Sequence, residues 1–146
     1  VPLMTIMIGC DHGGFNLKNE IIQYFSKNKI NYKDFGTYSK ESVDYPTIAF
    51  KVAKEVASTN SKGVLVCGSG LGMSIAANKI KGVRAVCVND VYMAILSREH
   101  NDANILCLGE RVLGTNAALY ILKTWLDTPF LGERHLKRVN MINEYN

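Results

Sequence analysis

The sequence predicts an α/β fold, a doubly wound (Rossmann-like) αβα sandwich with a five-stranded parallel sheet and a C-terminal helical tail. Three observations carry that prediction. Short β-type apolar runs alternate with segments of helical period from end to end. The third to fifth runs are almost continuously apolar, as strands covered on both faces are. Five such βα units in 146 residues fit one sheet with right-handed crossovers.

In chain order, "TIMIGC" (5–10) reads as the first strand and leads into a helix near 15–28. "YKDF" (32–35) is the second strand, followed by a helix near 46–58. "GVLVC" (63–67) is the third, running through the turn "CGSGLG" into a helix near 71–80. "VRAVCV" (83–88) and "NILCL" (104–108) complete the sheet, with helices near 90–99 and 114–126. Pro129 and Gly132 then separate off 133–143, where Leu136, Val139 and Ile142 recur every third residue as in a short amphipathic helix. Residues 1–146 read as one domain, whose tail from about 129 docks at a subunit interface. No repeat, low-complexity tract or long linker divides the chain.

With 47% hydrophobic residues, a chain of this length can bury a sizeable core. Lys and Arg outnumber Asp and Glu by 17 to 13, a net charge of +4 that is mostly scattered. That balance is ordinary solubility and predicts no nucleic-acid partner. "GERHLKR" (132–138) is the one local basic cluster. No apolar run approaches the roughly 20 residues that span a bilayer. "VPLMTIMIGC" lacks the basic segment and cleavage site of a secretory leader, so Met4 reads as the natural start and the cytosol as the location. Cys10, Cys67, Cys87 and Cys107 show no C-x-x-C spacing, so neither zinc nor a redox dithiol is expected. Cys10, Cys87 and Cys107 read as small packed hydrophobes.

The polar residues with chemical potential cluster beside strands. Cys10-Asp11-His12-Gly13-Gly14 follows the first, Gly68-Ser69-Gly70-Leu71-Gly72 the third, and Gly109-Glu110-Arg111 the fifth, while Arg98-Glu99-His100-Asn101-Asp102 precedes the fifth. In a parallel sheet they converge on one edge, where such folds bind ligands. The N–H groups of the glycine loop suit either a phosphate or a developing oxyanion. A dinucleotide reading competes, because Asp90 ends the next strand 18 residues after Gly72. Against it, the fingerprint's third glycine stands one position early.

Several residues admit two readings. Cys67 is a packed strand-end residue, or a nucleophile or base whose thiolate a helix N-terminus favours. Asp11 is a helix cap, or one half of an acid/base pair with His12. His100 and Asn101 are loop polarity or chemistry. Arg134 and Arg138, four apart, share one helix face and either grip a phosphate or face solvent.

Taken together, "GCDHGGFNLK", "DFGT", "DYP", "VCGSGLGMSIAANKIKGVRA", "SREHNDANILCLGERV" and "GERHLKRV" closely resemble the family of ribose-5-phosphate isomerase B and galactose-6-phosphate isomerase, in order and over nearly the whole chain. The resemblance implies an aldose–ketose isomerase acting on ribose 5-phosphate through an enediolate, without metal or cofactor. It implies Cys67 as the base, the amides of 68–72 and the Ser69 hydroxyl as oxyanion stabilisers, and Asp11 as the shuttle between sugar oxygens. His100 then helps open the furanose ring. His12, Arg134 and Arg138 match phosphate-binding positions, and Asn101 and Arg111 further substrate contacts. Tyr45 and His135 lie in the motifs without an assigned role. Another branch of the family uses a glutamate from the start of the next helix, where this chain has Met73, which leaves Cys67 as the base. A homodimer or tetramer with shared sites is implied. A six-carbon sugar phosphate is the alternative substrate, and a nucleotide-binding module using Asp90 the alternative of another class.

Overall fold

Alternation along the central strands explains the continuous apolar runs and orders the layers. A computed structural model describes residues 4–145; Val1–Leu3, ahead of the expected start, and Asn146 lie outside the described residues. The strands are β1 (Thr5–Cys10), β2 (Asn31–Asp34), β3 (Lys62–Cys67), β4 (Ala85–Cys87) and β5 (Ile105–Gly109). The helices are α1 (Phe15–Lys27), α2 (Tyr45–Thr59), α3 (Leu71–Ala77), α4 (Val91–Glu99), α5 (Thr115–Asp127) and α6 (Arg134–Glu144). All strands pair in parallel, in the order β2-β1-β3-β5-β4.

Ile6, Ile8, Val64, Val66, Leu106 and Leu108 point to one face of the sheet and pack with α1, α4 and α5 around Trp125. Met7, Leu65, Cys67, Ile105 and Cys107 point to the other, under α2 and α3. Successive residues therefore bury on opposite faces, and each central strand must be apolar throughout. From β1 the chain moves outward to β2, and from β3 it moves the other way to β4. The carboxyl ends of β1 and β3 thus bracket a switch point, where a crevice opens.

The structure departs most from the sequence prediction at two element boundaries, those of α3 and β4, and in the burial of α6. Helix α3 stops at Ala77 rather than near 80, because the Asn78 side chain clasps the Ala85 peptide at both ends (2.8 and 2.9 Å). Strand β4 is confined to Ala85–Cys87: it is an edge strand, and the Arg84 N–H donates to Asn104 Oδ1 (2.7 Å) instead of to a neighbour strand. On α6 only Val139 is buried, while Leu136 and Ile142 stay 48% and 54% exposed. The helix is held at one end by Asn143, whose Oδ1 accepts from Arg84 Nη1 (2.8 Å). No described helix is long and apolar enough to cross a membrane.

Candidate active site

Strand β3 delivers Cys67 to the crevice, and the turn after it keeps the thiol there. Gly70 adopts φ +82°, a conformation that costs other residues strain, and its N–H thereby turns back to donate to Cys67 Sγ at 3.1 Å. Such a bond is stronger to a thiolate than to a thiol. Ser69 Oγ accepts from the Leu71 N–H at 3.2 Å, and Gly70 and Leu71 open α3. Side chains are excluded beneath the turn: a Cβ at Gly109 would lie 2.6 Å from the Ser69 carbonyl.

Two further loops complete the cleft. Asp11 follows β1, its N–H donating to the Val66 carbonyl (3.2 Å) and its carboxylate accepting from the Gly13 N–H (2.8 Å). It therefore caps the short turn His12–Gly14, the first of its two sequence readings, while its carboxylate borders the cleft. Arg111 follows β5, and its guanidinium lies over Gly68, where an added Cβ would meet it at 3.4 Å. Asp11, Cys67, Gly68, Ser69, Gly72 and Arg111 thus line one cleft of about 390 Å³. Tyr45 and Val112 join them. The Tyr45 ring fills the space a Cβ on Gly72 would occupy (2.6 Å), so tyrosine in this place at 45 requires glycine at 72. Sequence reasoning gave Tyr45 no role because nothing local links it to Gly72; "DYP" was the only signal.

His12 is held by the loop that precedes α2. Its Nδ1 accepts from the Val43 N–H (3.2 Å), which leaves the proton on Nε2 as a donor. His100 and Asn101, at the end of α4, line a separate cleft of about 370 Å³ with Cys87, Met93 and Ser97. The His135 ring stacks on His100 (centroids 4.2 Å apart, planes 15° apart), which brings Arg134 and Arg138 of α6 to the same end of the molecule. Loss of hydration, then the charges of His100, Arg134 and Arg138, push His135 below its ordinary range. Within one chain, the predicted residues therefore fall into two groups.

The other cysteines and Asp90 also find their places. Cys10 and Cys107 are fully buried, as packed hydrophobes. Cys87 is half-buried and donates to the Ser69 carbonyl (3.5 Å), supporting the glycine turn from below. The nucleotide reading fails on Asp90: its carboxylate caps α4 by accepting from the Met93 N–H (2.8 Å). Its strand β4 is also separated from β3 by β5, so Asp90 is not on the strand beside the glycine turn.

Comparison with known proteins agrees with this geometry. The ribose/galactose isomerase family model matches residues 6–142. Ribose-5-phosphate isomerase B of Escherichia coli is 46% identical over 141 residues, 96% of this chain and 95% of that protein. The Clostridium thermocellum ribose-5-phosphate isomerase B structure aligns with a TM-score of 0.94 at 54% identity, covering 97% of this chain and 96% of that one. The Mycoplasma genitalium enzyme, solved with bound ribulose-5-phosphate, aligns with a TM-score of 0.93 at 38% identity, covering 97% and 95%. A match of this extent, in sequence and in fold, assigns the chain to the ribose/galactose isomerase family.

Proposed function

We propose that this chain interconverts ribose 5-phosphate and ribulose 5-phosphate, with Cys67 as the base. The observation that carries the proposal is the Cys67 thiol, fixed by the Gly70 N–H at a cleft it shares with Asp11 and Ser69. An aldose–ketose shift needs a base at carbon, a stabiliser for the enediolate oxygen and an acid/base between neighbouring oxygens. Cys67 takes the proton from C2 and returns it to C1. Asp11 carries a proton from O2 to O1. Among the amides of 68–72, those of Gly70 and Leu71 are engaged on Cys67 Sγ and Ser69 Oγ, so the remaining amides and the Ser69 hydroxyl stabilise the developing charge. His100 opens the furanose, Asn101 and Arg111 bind sugar hydroxyls, and His12 Nε2–H, Arg134 and Arg138 hold the phosphate.

These roles require the two groups of residues to meet, which leads us to place the site between two copies of the chain. Supporting this, Leu71, Ile75, Tyr92 and Met93 are large, apolar and exposed on α3 and α4, beside the clefts. The tail from about 129 then docks at the subunit interface and brings its arginines to the partner's Cys67 cleft. A cytosolic site of action fits a charged substrate.

Relative kcat/KM on ribose 5-phosphate and allose 6-phosphate tests the substrate. The expected outcome is a clear preference for the five-carbon sugar. A preference for allose 6-phosphate would move the function to six-carbon substrates, and no turnover of either would remove the isomerase reading.

A further inference from the structure

Glu110 has no role in the chemistry above, yet it occupies a junction of the site. Its N–H donates to the Cys67 carbonyl (2.9 Å), and that of its neighbour Arg111 to the Gly68 carbonyl (3.0 Å). Its side chain reaches the other way, to the first turn of α1, where Oε1 accepts the Leu17 N–H at 2.6 Å. Leu17 is the third residue of α1, and the amide there is usually satisfied by the side chain of an N-cap residue. Gly14 holds the N-cap position and makes no such bond. No capping serine or aspartate fits there, because a Cβ at position 14 would stand 2.5 Å from the Val66 carbonyl oxygen. The tight approach of this turn to β3 thus deprives α1 of its own cap, and the loop after β5 supplies one.

The three loops around the cleft are consequently braced in pairs. The β1 loop is tied to β3 by the Asp11 N–H, and the β3 loop to β5 by the Arg111 N–H. The Glu110–Leu17 bond closes the third side. We propose that Glu110 is a positioning residue for the isomerisation: by capping α1 from across the sheet, it sets Asp11 and His12 against Cys67 and Arg111. A carboxylate at a helix N-terminus also complements the helix dipole. The proposal rests on the isomerase reading, and adds a residue that touches no substrate.

Glu110→Ala and Glu110→Gln test it, in ribose 5-phosphate assays run where circular dichroism shows each variant fully folded. Misplacement of reacting groups by a fraction of an ångström is sufficient for about a tenfold loss. The expectation is that Glu110→Ala loses about tenfold in kcat/KM, largely in kcat, and that Glu110→Gln, which keeps an acceptor oxygen, stays within about threefold of the parent. Amide exchange at Leu17, followed by NMR, is expected to be fast in the alanine variant and slow in the glutamine variant. Wild-type kcat/KM in folded Glu110→Ala overturns the proposal. So does a glutamine variant that loses as much activity as alanine while Leu17 remains protected. Absence of turnover by the unmodified protein overturns the proposed function and, with it, this proposal.

Discussion

Cys67 and Asp11 are 6% and 8% exposed and hang from the ends of central strands, whereas Asn101 and Arg134 stand exposed at helix ends and Arg138 one turn into α6. The first group is fixed by backbone: the Gly70 N–H on Sγ, the Gly13 N–H on the Asp11 carboxylate, and the strand pairing that continues past β3 and β5. The second is fixed by one buried valine, a ring stack and the Arg84–Asn143 bond. Proton transfer at carbon tolerates little misplacement, so it belongs on the sheet. Grip on a flexible, charged phosphate tolerates more, which suits the proposed placement of that grip on a peripheral helix.

The sharpest test of that division is Cys67→Ser. A hydroxyl in the same place cannot act as the base, so kcat is expected to fall by about 10³-fold, within the range of general-base contributions. With the phosphate grip placed on His12, Arg134 and Arg138 as proposed, the dissociation constant for ribose 5-phosphate, measured by calorimetry, is expected to stay within about threefold. Retained turnover would remove Cys67 as the base. A lost affinity would show instead that the two regions are not separable.

Arg138→Ala probes the other region. Removing one charged hydrogen bond to phosphate is expected to raise KM by about 10- to 100-fold with a smaller change in kcat. Mixing this variant with Cys67→Ser then asks where the regions meet. If each site takes Cys67 from one copy and Arg138 from the other, mixed dimers regain one intact site. Equal mixing then restores about a quarter of parental activity at low substrate, since half the dimers are mixed and each carries one of two sites. No recovery on mixing would place both residues of a site on one chain.

The same contrast explains what could be read without coordinates. The buried sheet was legible because burial on both faces writes itself into continuous apolar runs such as "GVLVC" and "NILCL". Cys67 was legible as a candidate because the glycine turn that holds it is its immediate neighbour. Tyr45 was not, since its fit against Gly72 joins positions far apart in sequence. Glu110 was not, since the amide it caps, that of Leu17, lies 93 residues earlier. The partial burial of α6 was also hidden: the spacing of Leu136, Val139 and Ile142 is the same whether the stripe packs within the chain or against another copy.

The smallest expected effects concern pH, and they separate the regions by direction. Burial pushes the Cys10 thiol from its ordinary 9.0 up to about 12, with Lys18 opposing, and burial raises Cys107 and Cys87 in the same sense. A raised thiol keeps its proton in the fold after the unfolded chain has lost it. Its contribution to stability is therefore complete below pH 9 and declines as pH rises toward 12, by at most about 1.4 kcal/mol per pH unit for each thiol. In urea unfolding between pH 9 and 10.5, Cys10→Ala is expected to lose midpoint less steeply than the parent; parallel slopes would exclude Cys10 as a source. His135 behaves oppositely. Because loss of hydration, and then the charges of His100, Arg134 and Arg138, disfavour its imidazolium, the unfolded chain protonates first, and stability declines as pH falls below the ordinary histidine value of 6.5. The group is only partly buried, so salt screens the effect. His135→Asn is accordingly expected to flatten the acid limb slightly at low ionic strength and to leave the alkaline limb untouched. A change in the alkaline limb would mean that the peripheral helix and the sheet titrate as one unit.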